Sequence, residues 1–265
     1  MTDQFVLTPY FLDSRLPGLD PLTEAGWQTN LPPISGEDKQ ARMISLYRPL
    51  AGLVSAAILQ GRRPVSVAGD CCTTIGVLSG LQQAGVIPTL IWFDAHGDFN
   101  TWETTPSGFL GGMPLAMAVG LGEQTLPQGV GLRPLPFANV ILTDGRDLDP
   151  DERTLVEQSG ITHLPDVTAL LEYPLPDGPL YVHFDTDVVD PAEVPAMNYP
   201  APGGPSAETL RRVFRHLAAT GRVTAVSLSA WNPDMDEDGR SRAISMSLLQ
   251  ELLANSTRQK PYGFT

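Results

Sequence analysis

Two short acidic segments in this chain have the residue types and spacing for metal-assisted hydrolysis. In Ile91-Trp92-Phe93-Asp94-Ala95-His96-Gly97-Asp98 an apolar run stops in two carboxylates with an imidazole between them. Leu90 to Phe93 lacks polar alternation, as a strand covered on both faces does, and residues two apart then project to one side. Asp94, His96 and Asp98 therefore converge. Three such groups would repel or desolvate badly without a cation among them, and oxygen plus imidazole donors suit a divalent transition metal. Taken alone, the motif competes with a plain polar turn that happens to hold an Asp and a His. Leu180-Tyr181-Val182-His183-Phe184 repeats the pattern, however, and breaks into Asp185-Thr186-Asp187. Together the two ends offer more ligands than one ion needs, so a binuclear site is the natural inference. Two ions about 3.5 to 4 Å apart can hold a bridging water, lower its pKa and present it as hydroxide to an electrophilic carbon.

The elements that must position these ends alternate between strand and helix. Asp38 to Gln60 carries Met43, Leu46, Leu50, Leu53, Val54, Ala57 and Ile58 at helical spacing, with Gly61 as a stop. Strands are expected at 64–68, 90–93, 139–143, 161–164, 180–184 and 223–228. Further helices are expected at 73–84, 114–120, 151–159, 167–172, 207–220 and 245–255. Ser206 caps the helix from Ala207, with Glu208 in its first turn. This β-α-β alternation implies a parallel sheet with right-handed crossovers. Ligands bind at the carboxyl ends of such strands, where Cys71, Asp94, His96, Asp98, Asp185 and Asp187 would collect. Residues 100–112 read as a long functional loop, and 5–37 as one strand followed by a proline-rich wrap. A single α/β domain over 1–265 is expected, with 1–37 as its N-terminal strand and wrapping segment.

Composition narrows the function classes. The chain has 265 residues, 42% hydrophobic and 18% charged, and a formal net charge of −13. Such a surface does not attract nucleic acid or an anionic membrane. No segment reads as a secretion signal or bilayer span, and the only cysteines are the neighbours Cys71 and Cys72. A cytoplasmic location is expected.

Gly69-Asp70-Cys71, Asp94-Ala95-His96-Gly97-Asp98, Phe184-Asp185-Thr186-Asp187-Val188-Val189-Asp190-Pro191 and Pro202-Gly203-Gly204 resemble, in order and approximate spacing, the motifs of the ureohydrolases, the arginase and agmatinase family. The resemblance covers about Asp38 to Leu253. It implies a three-layer α/β/α sandwich with a central parallel sheet, and hydrolysis of guanidinium or related C–N bonds with two manganese ions. One ion would be held by Cys71, Asp94, Asp98 and Asp185, the other by Asp94, His96, Asp185 and Asp187, with Asp94 and Asp185 bridging. Asp190 falls at a helper carboxylate that orients its loop. Asn100, Thr105 and Ser107 match positions that bind an amino acid's carboxylate in arginases. Asp147 and Asp149 match acidic positions near the substrate's amino group. Family members are commonly trimers or hexamers, so a homo-oligomer is expected.

Three departures bear on the substrate. Cys71 stands where the first ligand is ordinarily His, and a thiolate favours zinc or iron more than His would. Cys71 with Leu110-Gly111-Gly112-Met113 resembles the branch that includes N-omega-hydroxy-arginine amidinohydrolase. Gly111 replaces a proton-shuttling His, and Ala230 in Ser229-Ala230-Trp231-Asn232-Pro233 replaces the guanidinium-binding Glu, unless Asp234, Asp236 or Glu237 reaches back. His183, two residues before Asp185, is carried with Asp98 as a catalytic candidate. It reads equally as a support for a metal-bound carboxylate and as a satisfied core His. The run 234–239 resembles half of an EF-hand loop but lacks its Glu and its preceding helix, so it reads as a solvated acidic loop. The expected protein is a binuclear hydrolase of a guanidino or amidine-type small molecule. The alternatives are the same site acting on a non-guanidinium substrate, and a metal-binding protein without catalysis.

Overall fold

Residues 1–254 are described by a computed structural model. The chain opens with strand β1 (Thr2–Thr8), a small hairpin of β2 (Tyr10–Phe11) and β3 (Ser14–Arg15), and the short strand β4 (Gln28–Thr29). Helix α1 (Lys39–Leu59), strand β5 (Arg62–Ala68), helix α2 (Thr73–Gln83) and strand β6 (Thr89–His96) follow. Then come α3 (Pro114–Ala118), α4 (Thr125–Val130), β7 (Val140–Asp147), α5 (Pro150–Ser159) and β8 (Thr162–Leu164). The last four elements are β9 (Leu180–Asp185), α6 (Ala207–Ala219), β10 (Val223–Ser229) and α7 (Arg240–Leu253).

Eight strands form one sheet in the order β4-β1-β5-β10-β9-β6-β7-β8, and every pairing in it is parallel. The chain passes from β5 over the places of β10 and β9 before laying down β6. The ends of β5, β10, β9 and β6 therefore flank the crossover point, which is where open parallel sheets bind ligands. Strand alternation divides β6 between two cores: Leu90 and Trp92 pack with Met43, Leu46 and Tyr47 of α1, while Ile91 and Phe93 pack with Leu210, Phe214 and Leu248 of α6 and α7. This is the three-layer sandwich expected of an unbroken apolar strand. Helix α1 is long and apolar enough to cross a membrane, but Met43, Leu46, Tyr47, Leu50 and Val54 are buried in the first of these layers.

Several boundaries differ from expectation. β6 continues to His96 and β7 to Asp147, so ligand candidates sit on the strands themselves rather than in the loops beyond. The N-terminal segment contributes a full strand, Thr2 to Thr8 pairing with Arg62 to Ala68, and Gln28–Thr29 also joins the sheet. Helix α4 has no periodic signal in the sequence, because Pro127 and Gly129 interrupt its apolar spacing. Val167–Leu171 is a 3-10 turn rather than an α-helix. Helix α7 begins at Arg240, five residues ahead of Ser245, because Asp236 accepts from Ser241 N at 3.1 Å and Arg242 N at 2.7 Å. Asn255, at the expected end of that helix, lies outside the described residues.

Candidate metal centre

The turn after β5 presents Cys71 inward. Gly69 lies so close to the neighbouring backbone that a Cβ there would come within 2.4 Å of Tyr10 O. Asp70 fixes the turn by accepting from Leu12 N at 2.7 Å and from Cys72 N at 2.9 Å. The Cys71 thiol then donates to Asp185 Oδ2 at 2.6 Å and lies 3.9 Å from Asp94 Oδ2.

At the end of β6, Asp94 is held by Trp92 Nε1 (3.0 Å to Oδ2) and by His96 N (2.7 Å to Oδ1). His96 Nδ1 lies 3.0 Å from Asp187 Oδ2 and 3.4 Å from Asp94 Oδ1, and so ties the two acidic ends together. After β9 the chain turns because Asp185 Oδ1 accepts from Asp187 N at 2.9 Å, while Asp187 Oδ1 accepts from Ala95 N at 3.1 Å. Two groups of donors result. Ligand atoms of Cys71, Asp94, His183 and Asp185 lie within 4.8 Å of one another, as do those of Asp94, His96 and Asp187. Asp94 belongs to both, as a bridging carboxylate between two ions would. Asp98 is in neither group, but it lines the same cavity, and its Oδ2 is buried with no hydrogen-bond partner among the described residues.

The electrostatics fit cations. Burial raises Asp94 to about 7, with the Asp187 charge adding to it, and burial with neighbouring carboxylates pushes Asp98 and Asp185 well above the usual range. Burial likewise raises the Cys71 thiol, reinforced by Asp185. Burial opposes a charge on His96, yet its hydrogen bonds to Asp187 and Asp94 outweigh it and push the imidazole up to about 12. Burial also works to raise Asp187, but the His96 hydrogen bond brings it below the ordinary value. Carboxylates packed this tightly, with one imidazole and one unpartnered buried oxygen, suit divalent metal ions.

A cavity of about 450 Å³ opens above this floor. Cys71, Asp94, His96, Asp98, Asp185 and Asp187 all face it, as do the expected substrate positions Asn100, Thr105, Ser107, Asp147 and Asp149. Gly111 and Ala230 line it too, whereas Asp234, Asp236 and Glu237 do not. His183 is fully buried beneath the floor and is not on the cavity wall. Its Nδ1 lies 2.8 Å from Ser227 Oγ and 3.1 Å from Thr74 Oγ1, and its Nε2 lies 3.5 Å from Ser229 Oγ. Ser229 in turn donates to Asp185 Oδ2 at 3.2 Å. Burial lowers His183 to about 3, so the ring is neutral. Asp190 Oδ1 accepts from Ala192 N at 2.9 Å and so shapes its own loop.

Two residues at the site were not singled out from sequence. Glu152 is buried on the cavity wall, accepting from Phe99 N at 2.8 Å and Asp149 N at 3.1 Å. Asp149-x-x-Glu152 ahead of a helix is a capping-box signature that marks it. Arg146 pairs with Asp144 and donates to the main-chain carbonyls of Asp187 (2.9 Å), Val188 (3.1 Å), Ala201 (3.1 Å) and Pro202 (3.3 Å). A Cβ on Gly204 would lie 2.8 Å from Arg146 Cζ, which accounts for the glycine there.

Residues 31–254 match the family model described as the arginase family. The arginase of Bacillus caldovelox is 31% identical over 217 residues, covering 77% of this chain and 72% of that protein. An N(omega)-hydroxy-L-arginine amidinohydrolase of Streptomyces lavendulae is 33% identical over 187 residues, covering 69% of this chain and 66% of its own. The crystal structure of arginase from Bacillus subtilis superposes with a TM-score of 0.82 at 26% identity, covering 97% of this chain and 100% of that one.

Proposed function

The chain belongs to the arginase family, and from that premise we propose that it is a two-metal hydrolase of a guanidino or amidine-type small molecule. The observation that carries this reading is the sharing of Asp94 between two donor groups at the bottom of one cavity. Cys71, Asp94, Asp98 and Asp185 would hold one divalent ion, and Asp94, His96, Asp185 and Asp187 the other. When bound, such a pair supplies the positive charge that brings the pKa of a shared water toward neutrality.

The chain's own residues set the geometry around that chemistry. Trp92 and the His96 amide hold Asp94 in place, and Ser229 holds Asp185. His183 is a positioning residue acting through Ser229 and Trp92, against whose ring it packs with centroids 3.9 Å apart. Asp98, which lines the cavity and has a buried oxygen without a hydrogen-bond partner among the described residues, has the capacity to accept a proton there. Asn100, Thr105, Ser107, Asp147 and Asp149 would contact the substrate. Manganese is the proposed metal, with zinc or iron as the alternatives that Cys71 favours. The protein would work as a single-domain protomer of a cytoplasmic homo-oligomer, a trimer or hexamer.

Ala230 supports a second reading, in which the same site hydrolyses a substrate without a guanidinium, since none of Asp234, Asp236 and Glu237 lines the cavity. The test is release of urea, hydroxyurea or ammonia by the metal-loaded protein from arginine, hydroxy-arginine, agmatine and guanidinobutyrate. Turnover of one of these is expected. Inactivity toward all four, and toward alkyl- and arylalkylguanidines as well, in a fully metallated sample would remove the guanidinium reading.

A further inference from the structure

The cavity has an aromatic side that the hydrolytic chemistry does not use. Phe11 and Phe109 stack with ring centroids 6.4 Å apart, and Phe109 meets Tyr199 at 5.3 Å. All three line the cavity above the acidic floor. The Phe109 ring also fills the space over Gly111, where a Cβ would fall 2.3 Å from Cε1 and 2.4 Å from Cζ. The absence of a side chain at position 111 and the aromatic wall are thus one arrangement.

Neighbouring polar groups hold that ring in place. Ser107 Oγ accepts from Phe109 N at 3.2 Å, Thr105 Oγ1 accepts from Gly108 N at 3.1 Å, and the two hydroxyls lie 3.3 Å apart. Asn100 donates one N–H of Nδ2 to Asp149 at 3.0 Å and accepts from Thr104 at 2.9 Å. Among the described residues, no Lys or Arg lines the cavity, while Asp147 and Asp149 do. A carboxylate on the substrate would meet acidic groups and no cationic side chain apart from His96 at the metal floor. An apolar or aromatic group would meet three aromatic side chains.

We infer that Phe109, with Phe11 and Tyr199, is the specificity surface for the substrate's tail, and that it selects a guanidino or amidine compound bearing an aryl or alkyl substituent. This rests on the hydrolase reading given above and narrows its substrate class.

Calorimetric binding of 2-phenylethylguanidine and of arginine to the manganese-loaded protein tests it, with turnover of both followed in the same samples. The expected dissociation constant for 2-phenylethylguanidine is at least about tenfold lower than for arginine. Phe109→Ala should erase most of that difference while leaving metal content unchanged. Tyr199→Ala, at a half-exposed position, serves if the first variant does not fold, with an expected loss of about threefold confined to 2-phenylethylguanidine. Equal or tighter binding of arginine, binding of neither compound, or equal losses for both in the variants would overturn the inference. Hydrolysis of arginine with that preference reversed would leave the hydrolase reading standing. Tight, Phe109-dependent binding of 2-phenylethylguanidine without hydrolysis of either compound would count for the wall and against the hydrolase.

Discussion

Arg146 donates to the main-chain carbonyl of Asp187 at 2.9 Å, so a side chain from β7 holds the acidic turn that follows β9. The same guanidinium pairs with Asp144 and grips the carbonyls of Val188, Ala201 and Pro202. Arg146→Ala leaves the buried Asp144 carboxylate without its partner, which should cost about 3 kcal/mol of stability in urea denaturation. The ion at Asp187 should bind more weakly as well. Arg146→Lys keeps the charge but not the planar fork, so it should recover the lesser part of both losses.

As a proposed ligand, Cys71 should set the metal preference. Cys71→His exchanges a soft thiolate for an imidazole where the first buried core meets the cavity floor. The variant should keep the wild-type melting temperature to within a few degrees and take up more manganese relative to zinc, measured by elemental analysis after competition. Unchanged manganese occupancy would show that Cys71 is not a ligand.

Metal uptake should depend on pH. Below neutrality the metal-free protein carries protons on Asp94, raised to about 7, and on His96, raised to about 12, and binding must release them. Affinity for manganese should therefore rise from pH 6 to pH 8, with proton release visible as buffer-dependent heats in calorimetry. The metal-free protein should behave in the opposite way. The stabilising contribution of Asp94, whose ordinary value is 3.8, is complete below that pH and lost as pH climbs through about 7. That of His96, ordinarily 6.5, declines above 6.5 and is lost toward 12. The melting temperature without metal should thus fall between pH 5.5 and pH 8.

Glu152 joins the helix start to the loop that carries Asp98 by accepting from Phe99 N and Asp149 N. Glu152→Ala leaves two amides without their acceptor and should cost about 2 kcal/mol in thermal or chemical denaturation. Because Phe99 adjoins both Asp98 and Asn100, KM for the best substrate should rise more than kcat falls. An unchanged KM would separate this contact from the substrate wall.

Local pattern made much of the site legible. Projection from the end of an apolar strand accounts for Asp94 and His96 at one cavity, while Asp98 reaches it from beyond the strand, through a left-handed backbone at φ +47° that period two does not foresee, and the repeat at Asp185 and Asp187 fell beside them through the order of the sheet. The supports were not legible, because their partners are remote in sequence. Arg146 reaches carbonyls at 187, 188, 201 and 202, Ser229 reaches back to Asp185, and Glu152 reaches back to Phe99. The strand periods ended too early for a related reason. Asp94 and His96 on β6, like Arg146 and Asp147 on β7, are polar residues that only the site makes tolerable on the sheet. The early start of α7 escaped because Asp236 caps it from outside the helix.

The most direct test of the two-metal centre is the count of manganese ions per chain in the loaded protein, by elemental analysis and native mass spectrometry, for wild type and Asp187→Ala. The arrangement around Asp94 predicts two ions per chain in wild type, one in the variant, and hydrolysis that appears only with the second ion. A single ion in wild type, or full activity with one, would contradict it.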